Sequence, residues 1–212
     1  MENLTILEYL NSSSLFCGLN SIQLKNLSNK AKIYTYPPGQ ILIEEEIISE
    51  RVILILDGLV KIYKLTKDGK EIFIALEKNG DYLGVMNLED MSGHATVETL
   101  KETKVLVLYK KDVIEILKAN PILWKKMYQI VLAKLDEYRE LQAVKLGNDF
   151  TQRTFLLLKY ISKFFPNNTI NLSQETLASI IGSPRPRVTQ VLQELKSLKK
   201  IFLSSKEVKI LT

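Results

Sequence analysis

The chain has 212 residues, of which 46% are hydrophobic and 25% are charged, a balance that is typical of a globular protein and excludes a disordered chain. Its length predicts one or two domains. The single cysteine, Cys17, excludes an internal disulfide framework and an iron–sulfur cluster or zinc site built mainly from cysteines. The single histidine, His94, excludes a multi-histidine metal site. The net charge of +5 allows an anionic partner without requiring one.

No stretch of the sequence reaches the ~18 consecutive apolar residues that a membrane-spanning helix needs. Residues 1–16 contain the acidic Glu2 and Glu8, and they lack the basic segment and the apolar run of a signal peptide. The sequence therefore predicts a soluble cytoplasmic protein with a reduced thiol and no membrane contact.

Residues 32–109 contain a series of short, extended apolar segments that are separated by turn residues. Asp57-Gly58, Lys67-Asp68-Gly69 and Asn79-Gly80-Asp81 are strong turn signals between such segments. Strands separated by turns every 8 to 12 residues or so are typical of an antiparallel barrel or sandwich. The expected strands are 32–36, 41–43, 51–57, 59–65, 71–76, 95–99 and 104–109.

The pattern then becomes helical. A short helix is expected at 110–119, where Asn120-Pro121 ends it, and 122–146 contains neither Gly nor Pro. Apolar side chains spaced by three and four residues predict that 122–146 is one helix, roughly 38 Å long at about 1.5 Å per residue. It either packs along the barrel or pairs two chains as a coiled coil, and the pattern favours the second interpretation. The expected dimer contacts are Trp124, Met127, Val131, Leu135, Tyr138 and Leu141.

A hinge is expected at Gly147-Asn148-Asp149, after which Asp149 and Gln152 resemble a capping box that opens a helix over 150–165. Pro166 ends that helix.

The most specific pattern follows Ser173, which is expected to cap a new helix. Ala178 is small where two helices cross closely, and Gly182 supplies the left-handed turn that a side chain would penalise. Val188 and Val191 then return to the interior. This spacing predicts a helix-turn-helix.

The positive charge is concentrated in the same region. Residues 148–212 carry ten Lys and Arg against four Asp and Glu, a net charge of +6, whereas residues 1–147 carry nineteen against twenty. A basic C-terminal third is expected of a domain that contacts phosphates of double-stranded DNA. The alternative is a solvated lysine-rich surface.

The second helix, 184–198, is the predicted recognition helix, which would enter the major groove with its N-terminal end first. Arginine can bind guanine through two hydrogen bonds, and glutamine can pair with adenine or bond a phosphate. One of the two arginines in this segment could contact phosphate only, and the sequence does not distinguish them. A β-hairpin wing is expected at 201–203 and 208–211. The predicted DNA contacts are Ser183, Arg185, Arg187, Thr189 and Gln190.

This order of elements resembles the Crp/Fnr family of bacterial transcription regulators, and the resemblance covers nearly the whole chain. The matching residues are Leu15 to Leu19, Gly39, Ile55 to Tyr63, Gly80 to Gly84, Ala95-Thr96-Val97, Asn120-Pro121, Arg153, Leu177-Ala178, Gly182 and Arg185.

The resemblance implies an α+β protein with an N-terminal antiparallel β-roll (a cupin-like double-stranded sheet), a long dimerisation helix and a C-terminal winged helix-turn-helix. The expected domains are an effector domain at 1–120, the dimerisation helix at 121–147 and the DNA-binding domain at 148–212. The implied partners are a second copy of the chain, a palindromic operator and, for an activator, RNA polymerase.

Departures from the family pattern concern the effector. Cyclic-nucleotide binders of the family have Glu after the glycine that matches Gly84, and Arg-Ser before the alanine that matches Ala95. This chain has Val85 and Gly93-His94, which cannot replace a carboxylate and a guanidinium. The sequence therefore argues against cyclic AMP as the effector and predicts no cofactor. It also lacks the four cysteines that the oxygen-sensing branch of the family needs for its iron–sulfur cluster. Haem bound through His94 and a redox role for Cys17 are the weaker alternatives.

An effector pocket between the roll and the long helix is expected near Tyr82, Met86, His94 and Tyr138, and core packing is the favoured explanation for at least half of these residues. The family usually has Glu after the arginine that matches Arg185, and Pro186 replaces it here. A different operator half-site from that of the cyclic AMP receptor protein is therefore expected.

The function predicted is a DNA-binding regulator that responds to an effector other than a cyclic nucleotide. The alternatives are a constitutive regulator and a cyclic-nucleotide sensor with unfamiliar contacts. No catalytic pattern indicates an enzyme.

Overall fold

The structure is a computed structural model that describes residues 5–85, 88, 95–146, 149–205 and 207–211. The chain divides into two compact units. One unit comprises Met1–Ile62 and Glu77–Leu135, and the other comprises Tyr63–Leu76 and Asp136–Thr212. This division passes through the long helix and through two strands, and the functional boundaries expected at 120 and 147 stay a prediction.

Seven α-helices and eleven β-strands lie within the described residues. The helices are α1 Ile6–Ser12, α2 Ser21–Lys30, α3 Lys110–Ala119, α4 Pro121–Leu146, α5 Phe150–Ser162, α6 Gln174–Ile181 and α7 Arg185–Ser197. The strands are β1 Lys32–Tyr36, β2 Ile41–Ile43, β3 Arg51–Asp57, β4 Leu59–Leu65, β5 Glu71–Lys78, β6 Tyr82–Leu83, β7 Thr96–Thr99, β8 Thr103–Tyr109, β9 Thr169–Ile170, β10 Ile201–Leu203 and β11 Val208–Ile210.

Two four-stranded sheets build the roll, with strand orders β1-β8-β3-β6 and β2-β7-β4-β5. Strand β8 is antiparallel to both β1 and β3, and β2 is antiparallel to β7. A third sheet, β10-β11-β9, follows the last two helices. The predicted α+β class, with an antiparallel roll, a long helix and a winged helix-turn-helix, is confirmed.

The interior of the roll is a cluster of buried aliphatic side chains. Each strand contributes them because β-branched and leucine side chains pack well on a pleated surface that is covered. The cluster consists of Ile43, Ile53, Ile55, Val60, Leu83, Val97, Val105 and Val107. These eight side chains form an aliphatic core between the strands of the roll.

The Asp57-Gly58 turn shows why glycine is needed between β3 and β4. Gly58 has φ +145°, and a Cβ atom there would lie 2.5 Å from Cγ2 of Thr103. The backbone therefore passes closer to β8 than any side chain would permit.

The sequence analysis did not predict helices α1 and α2. Both begin with a capping box, in which Thr5 pairs with Glu8 and Asn20 pairs with Gln23. Their apolar faces form a second core with α3 and the start of α4. Leu15 and Phe16, from the segment that resembles the Crp/Fnr pattern, are fully buried in this core.

Helix α4 is fixed to the roll by apolar contacts and by an ion cluster. Leu123 and Met127 lie in the second core. Further along the helix, Nζ of Lys134 lies 2.5 Å from Oε2 of Glu77 and 2.8 Å from Oδ1 of Asp81. Burial, together with the neighbouring Asp81 carboxylate, raises the pKa of Glu77 to about 8. The described part of the chain contains no helix that is long and apolar enough to cross a membrane.

The second unit follows the predicted order with two differences. Helix α5 ends at Ser162 rather than at 165, and a single 3₁₀ turn, Pro166–Asn168, follows it. Strand β9, which the sequence did not indicate, then pairs with β11 and extends the wing to three strands.

We expect Lys134→Met to destabilise the first unit, because the Asp81 carboxylate would remain beside the buried Glu77 carboxyl without its cation. The expected loss is about 3 kcal/mol in the free energy of unfolding, measured by chemical denaturation at pH 7. Lys125→Met on the exposed side of the same helix is the matched control and should change this free energy by less than about 0.5 kcal/mol. Equal losses for the two variants would contradict the structural role of the ion cluster.

Candidate nucleic-acid interface

Helices α6 and α7 form the predicted helix-turn-helix. The hydroxyl oxygen of Ser173 accepts a hydrogen bond from the amide of Thr176 at 3.0 Å and caps α6, as expected. At the other end Gly182 has φ +70° and ψ +40°, and its amide donates to the carbonyl oxygen of Ala178 at 2.9 Å. A Cβ atom on Gly182 would meet nothing within 4 Å, so the backbone angle, rather than crowding, requires glycine.

One face of α7 holds it in place. Val188, Val191, Leu192 and Leu195 are buried at spacings of three and four residues. The helix begins at Arg185, where Pro184 occupies the cap position and Pro186 lies in the first turn, so the missing amides interrupt no hydrogen bond within the helix. Its core face is therefore fixed, and its remaining faces are available to a partner.

The five predicted DNA contacts lie on α7 or just before it. Arg185, Arg187 and Gln190 are exposed, and Ser183 and Thr189 are half-buried. The hydroxyl of Thr189 lies 3.0 Å from the carbonyl oxygen of Arg185 and 3.2 Å from Oε1 of Gln174. Thr189 therefore links α7 to α6 as well as facing outward.

An aromatic side chain that the sequence analysis did not single out lies beside the recognition helix. Cζ of Arg187 is 4.1 Å from the ring centroid of Phe150, and Cζ of Arg153 is 5.3 Å from the same centroid. The hydroxyl of Thr151 also donates to Oε2 of Glu194 at 3.0 Å. No local pattern indicates these contacts, because α5 and α7 are far apart along the chain.

The wing adds exposed groups next to this surface. Phe202 on β10 is exposed and pairs in register with Lys209 on β11. Nζ of Lys200 lies 5.1 Å from the ring centroid of Phe155, and Nζ of Lys159 lies 5.8 Å from it. Rings on α5 therefore hold cations near both ends of α7.

Two of the four residues that were predicted near an effector, Tyr82 and Tyr138, lie within the described residues. The hydroxyl oxygen of Tyr82 accepts a hydrogen bond from the amide of Leu15 at 3.4 Å, and its ring lies edge-on to Phe16, with the centroids 6.2 Å apart. Burial raises the pKa of this phenol. Tyr82 thus belongs to the second core, Tyr138 is half-buried on α4, and Met86 and His94 lie outside the described residues.

The second unit contains a cavity of about 360 Å³ that is lined by both apolar and polar side chains. Nζ of Lys145 donates to the carbonyl oxygen of Phe73 at 2.6 Å, and burial lowers the pKa of this amine to about 8. Arg153 and the buried Thr154 also line the cavity. The hydroxyl of Thr154 has no hydrogen-bond partner within the described part of the chain.

Cys17, the redox alternative, is half-buried in the loop between α1 and α2. The sulfur of Cys17 lies 3.2 Å from Nζ of Lys126, and the same Nζ donates a hydrogen bond to the carbonyl oxygen of Cys17. A sensing role for this thiol stays a prediction.

The dimer residues expected on α4 separate into two groups. Trp124, Val131 and Leu135 are exposed, and Tyr128 and Leu132 are exposed beside them. Met127 and Leu141 are only 4% and 1% exposed, so they serve the interior of a single chain. Tyr138 is half-buried and belongs to neither group. Burial within one chain argues against a dimer role for Met127 and Leu141, and the interface itself stays a prediction.

Comparison with known proteins agrees with this architecture. Residues 34–120 match the cyclic nucleotide-binding domain. The chain is 22% identical to the cyclic AMP receptor protein of Thermus thermophilus over 88% of this chain and 87% of that protein. It is 26% identical to the global nitrogen regulator of a Nostoc species over 76% of this chain and 77% of that protein.

Among solved structures, a Crp/Fnr-family transcriptional regulator of Thermus thermophilus superposes with a TM-score of 0.72 at 18% identity, covering 85% of this chain and 94% of that one. The chain thus has the fold of a Crp/Fnr-family regulator and is similar in sequence to a cyclic AMP receptor protein and to a global nitrogen regulator. The resemblance seen in the sequence is thereby confirmed.

Proposed function

We propose that this Crp/Fnr-type chain is a cytoplasmic transcription regulator that binds a palindromic operator as a homodimer, under the control of an effector other than a cyclic nucleotide. As an activator it would also contact RNA polymerase.

The exposed outer face of α7 is the observation that carries the DNA-binding proposal. Arg185, Arg187 and Gln190 project from a helix whose opposite face is buried, at the N-terminal end that a recognition helix presents to the major groove. Bidentate donors at such positions suit base edges and phosphates. The net charge of +6 on residues 148–212 attracts a polyanion to this unit.

The exposed face of α4 supports the homodimer. Trp124, Tyr128, Val131 and Leu135 follow one another at spacings of four, three and four residues, which keeps them in one line along the helix. Such an exposed apolar line on a helix marks an interface. Two identical chains paired along this line would carry two recognition helices, which suits a palindrome.

The residues at two positions of the roll support an effector other than a cyclic nucleotide. The described interior cluster is aliphatic, and the buried Lys61 is paired with Glu98 at 3.5 Å. Val85 and Gly93 occupy the positions at which the family's cyclic-nucleotide binders carry Glu and Arg. The match of residues 34–120 to the cyclic nucleotide-binding domain favours a second candidate, a cyclic-nucleotide sensor with unfamiliar contacts. A constitutive regulator is the third.

Arg185→Ala should weaken specific operator binding by about 1 to 3 kcal/mol and relax the preference at one base pair, because alanine cannot form a bidentate hydrogen bond with a base. The operator is first selected from random duplexes with the wild-type protein, and affinities are then measured by fluorescence anisotropy. Arg51→Ala removes an exposed arginine from the first unit and is the matched control. Unchanged affinity and selectivity of the Arg185 variant would contradict its role.

Leu135→Asp should convert the dimer into a monomer, because a carboxylate would be buried without a partner where the two α4 helices meet. A cost on the order of 3 kcal/mol raises the dissociation constant ~100-fold. Ala133→Asp, on an exposed face about half a turn away from the apolar line, is the control and should remain dimeric. Sedimentation equilibrium measures both variants, and a dimeric Leu135 variant would refute the interface.

Titration calorimetry with cyclic AMP and cyclic GMP should give no binding at micromolar concentrations, because neither a carboxylate nor a guanidinium stands at positions 85 and 93. Micromolar binding would instead establish the cyclic-nucleotide sensor. Full operator binding by protein refolded without small molecules would favour the constitutive regulator.

A further inference from the structure

Arginines 185 and 187 lie at different angular positions on α7. Successive residues of a helix are about 100° apart, so residues seven apart lie nearly in line along one flank. Arg187 and Glu194 are such a pair, and both contact the beginning of α5, Arg187 through the ring of Phe150 and Glu194 through Thr151. The flank that carries Arg187 therefore faces α5.

Gln190, three residues after Arg187, lies about 60° further from the α5 flank. Two residues after the buried Val188, it is about 200° away from it around the helix, which places Gln190 on the face directly opposite the core. When a helix lies in the major groove, its outermost face meets the base edges, and groups that flank it reach the sugar–phosphate walls. Arg187 is on the flank and Gln190 is on the reading face.

The ring of Phe150 holds the guanidinium of Arg187 in place. The distance of 4.1 Å from Cζ to the ring centroid is within the range of a cation–π contact, and the ring is half-buried, so it is itself fixed. A guanidinium that stacks on a ring keeps its N–H edges free to donate hydrogen bonds. Arg153 lies near the same ring, at 5.3 Å, so two cations share one aromatic side chain.

We infer that Arg187 contacts the DNA backbone rather than a base, and that Phe150 is the positioning residue that holds its guanidinium ready for a phosphate. This inference rests on the proposed DNA-binding function. It leaves base reading on α7 to Gln190, on the outer face, and to Arg185, which lies at the N-terminal end of the helix rather than on that face.

The test is the salt dependence of binding to three kinds of duplex, which are the selected operator, a panel of its single-base variants and an unrelated sequence. Arg187→Ala should weaken binding to all of them by a similar factor, about tenfold, and should lower the slope of log affinity against log salt by about 0.9 for each phosphate that the variant no longer neutralises. Arg187→Lys should retain most of the slope because the charge remains.

Phe150 is tested in a double-mutant cycle. Phe150→Leu should weaken binding to every duplex by about two- to fivefold, Phe150→Tyr should leave it unchanged, and Phe150→Leu should have no further effect in the Arg187→Ala background.

A change of base preference in the Arg187→Ala variant would overturn the phosphate assignment. A loss of affinity caused by Phe150→Leu that persists in the Arg187→Ala background would show that the ring only supports packing, and would overturn its positioning role. If the wild-type protein binds none of the duplexes, it is the proposed function itself that fails.

Discussion

Burial of one side of α7 is the constraint on which the rest of the DNA-binding unit depends. Val188, Leu192 and Leu195 fix the helix against its neighbours, and this determines which residues face outward and which lie on a flank. The glycine turn sets the angle at which α7 leaves α6, and the contacts with α5 prevent rotation about its axis. In the proposed complex with DNA, specificity and affinity are therefore assigned to different sides of one short helix.

Much of this architecture could be predicted because it depends on local rules. Several short-range features leave a clear pattern in the sequence. They are the cap at Ser173, the left-handed residue Gly182 and the three-residue spacing of the buried Val188 and Val191. The long uninterrupted helix α4 is equally visible, since it contains neither glycine nor a proline after its first residue. The capping boxes of α1 and α2 are also local, and the Thr5–Glu8 pattern could have revealed the first of these helices.

Other features required three-dimensional information. Periodicity shows that α4 has many apolar positions, but it does not show which of its faces the same chain covers, and for that reason Met127 and Leu141 were assigned to the dimer interface. Tyr82 illustrates the same problem in the roll. A tyrosine in a motif can pack in a core or line a pocket, and the sequence pattern is the same in both cases. The stacking of Arg187 on Phe150 joins distant segments and leaves no local pattern.

The contacts of Lys134 with Glu77 and Asp81 restrain the rotation of α4 about its own axis. Lys134 and Leu135 are adjacent, so the ion cluster and the exposed apolar line are separated by about a quarter turn of the same rigid helix. The direction in which Lys134 points from the helix therefore fixes the direction in which the exposed apolar line faces. A shift of a few ångströms in the turn that bears Asp81 would rotate the apolar line, and in the proposed homodimer the symmetry axis between the two chains would tilt with it.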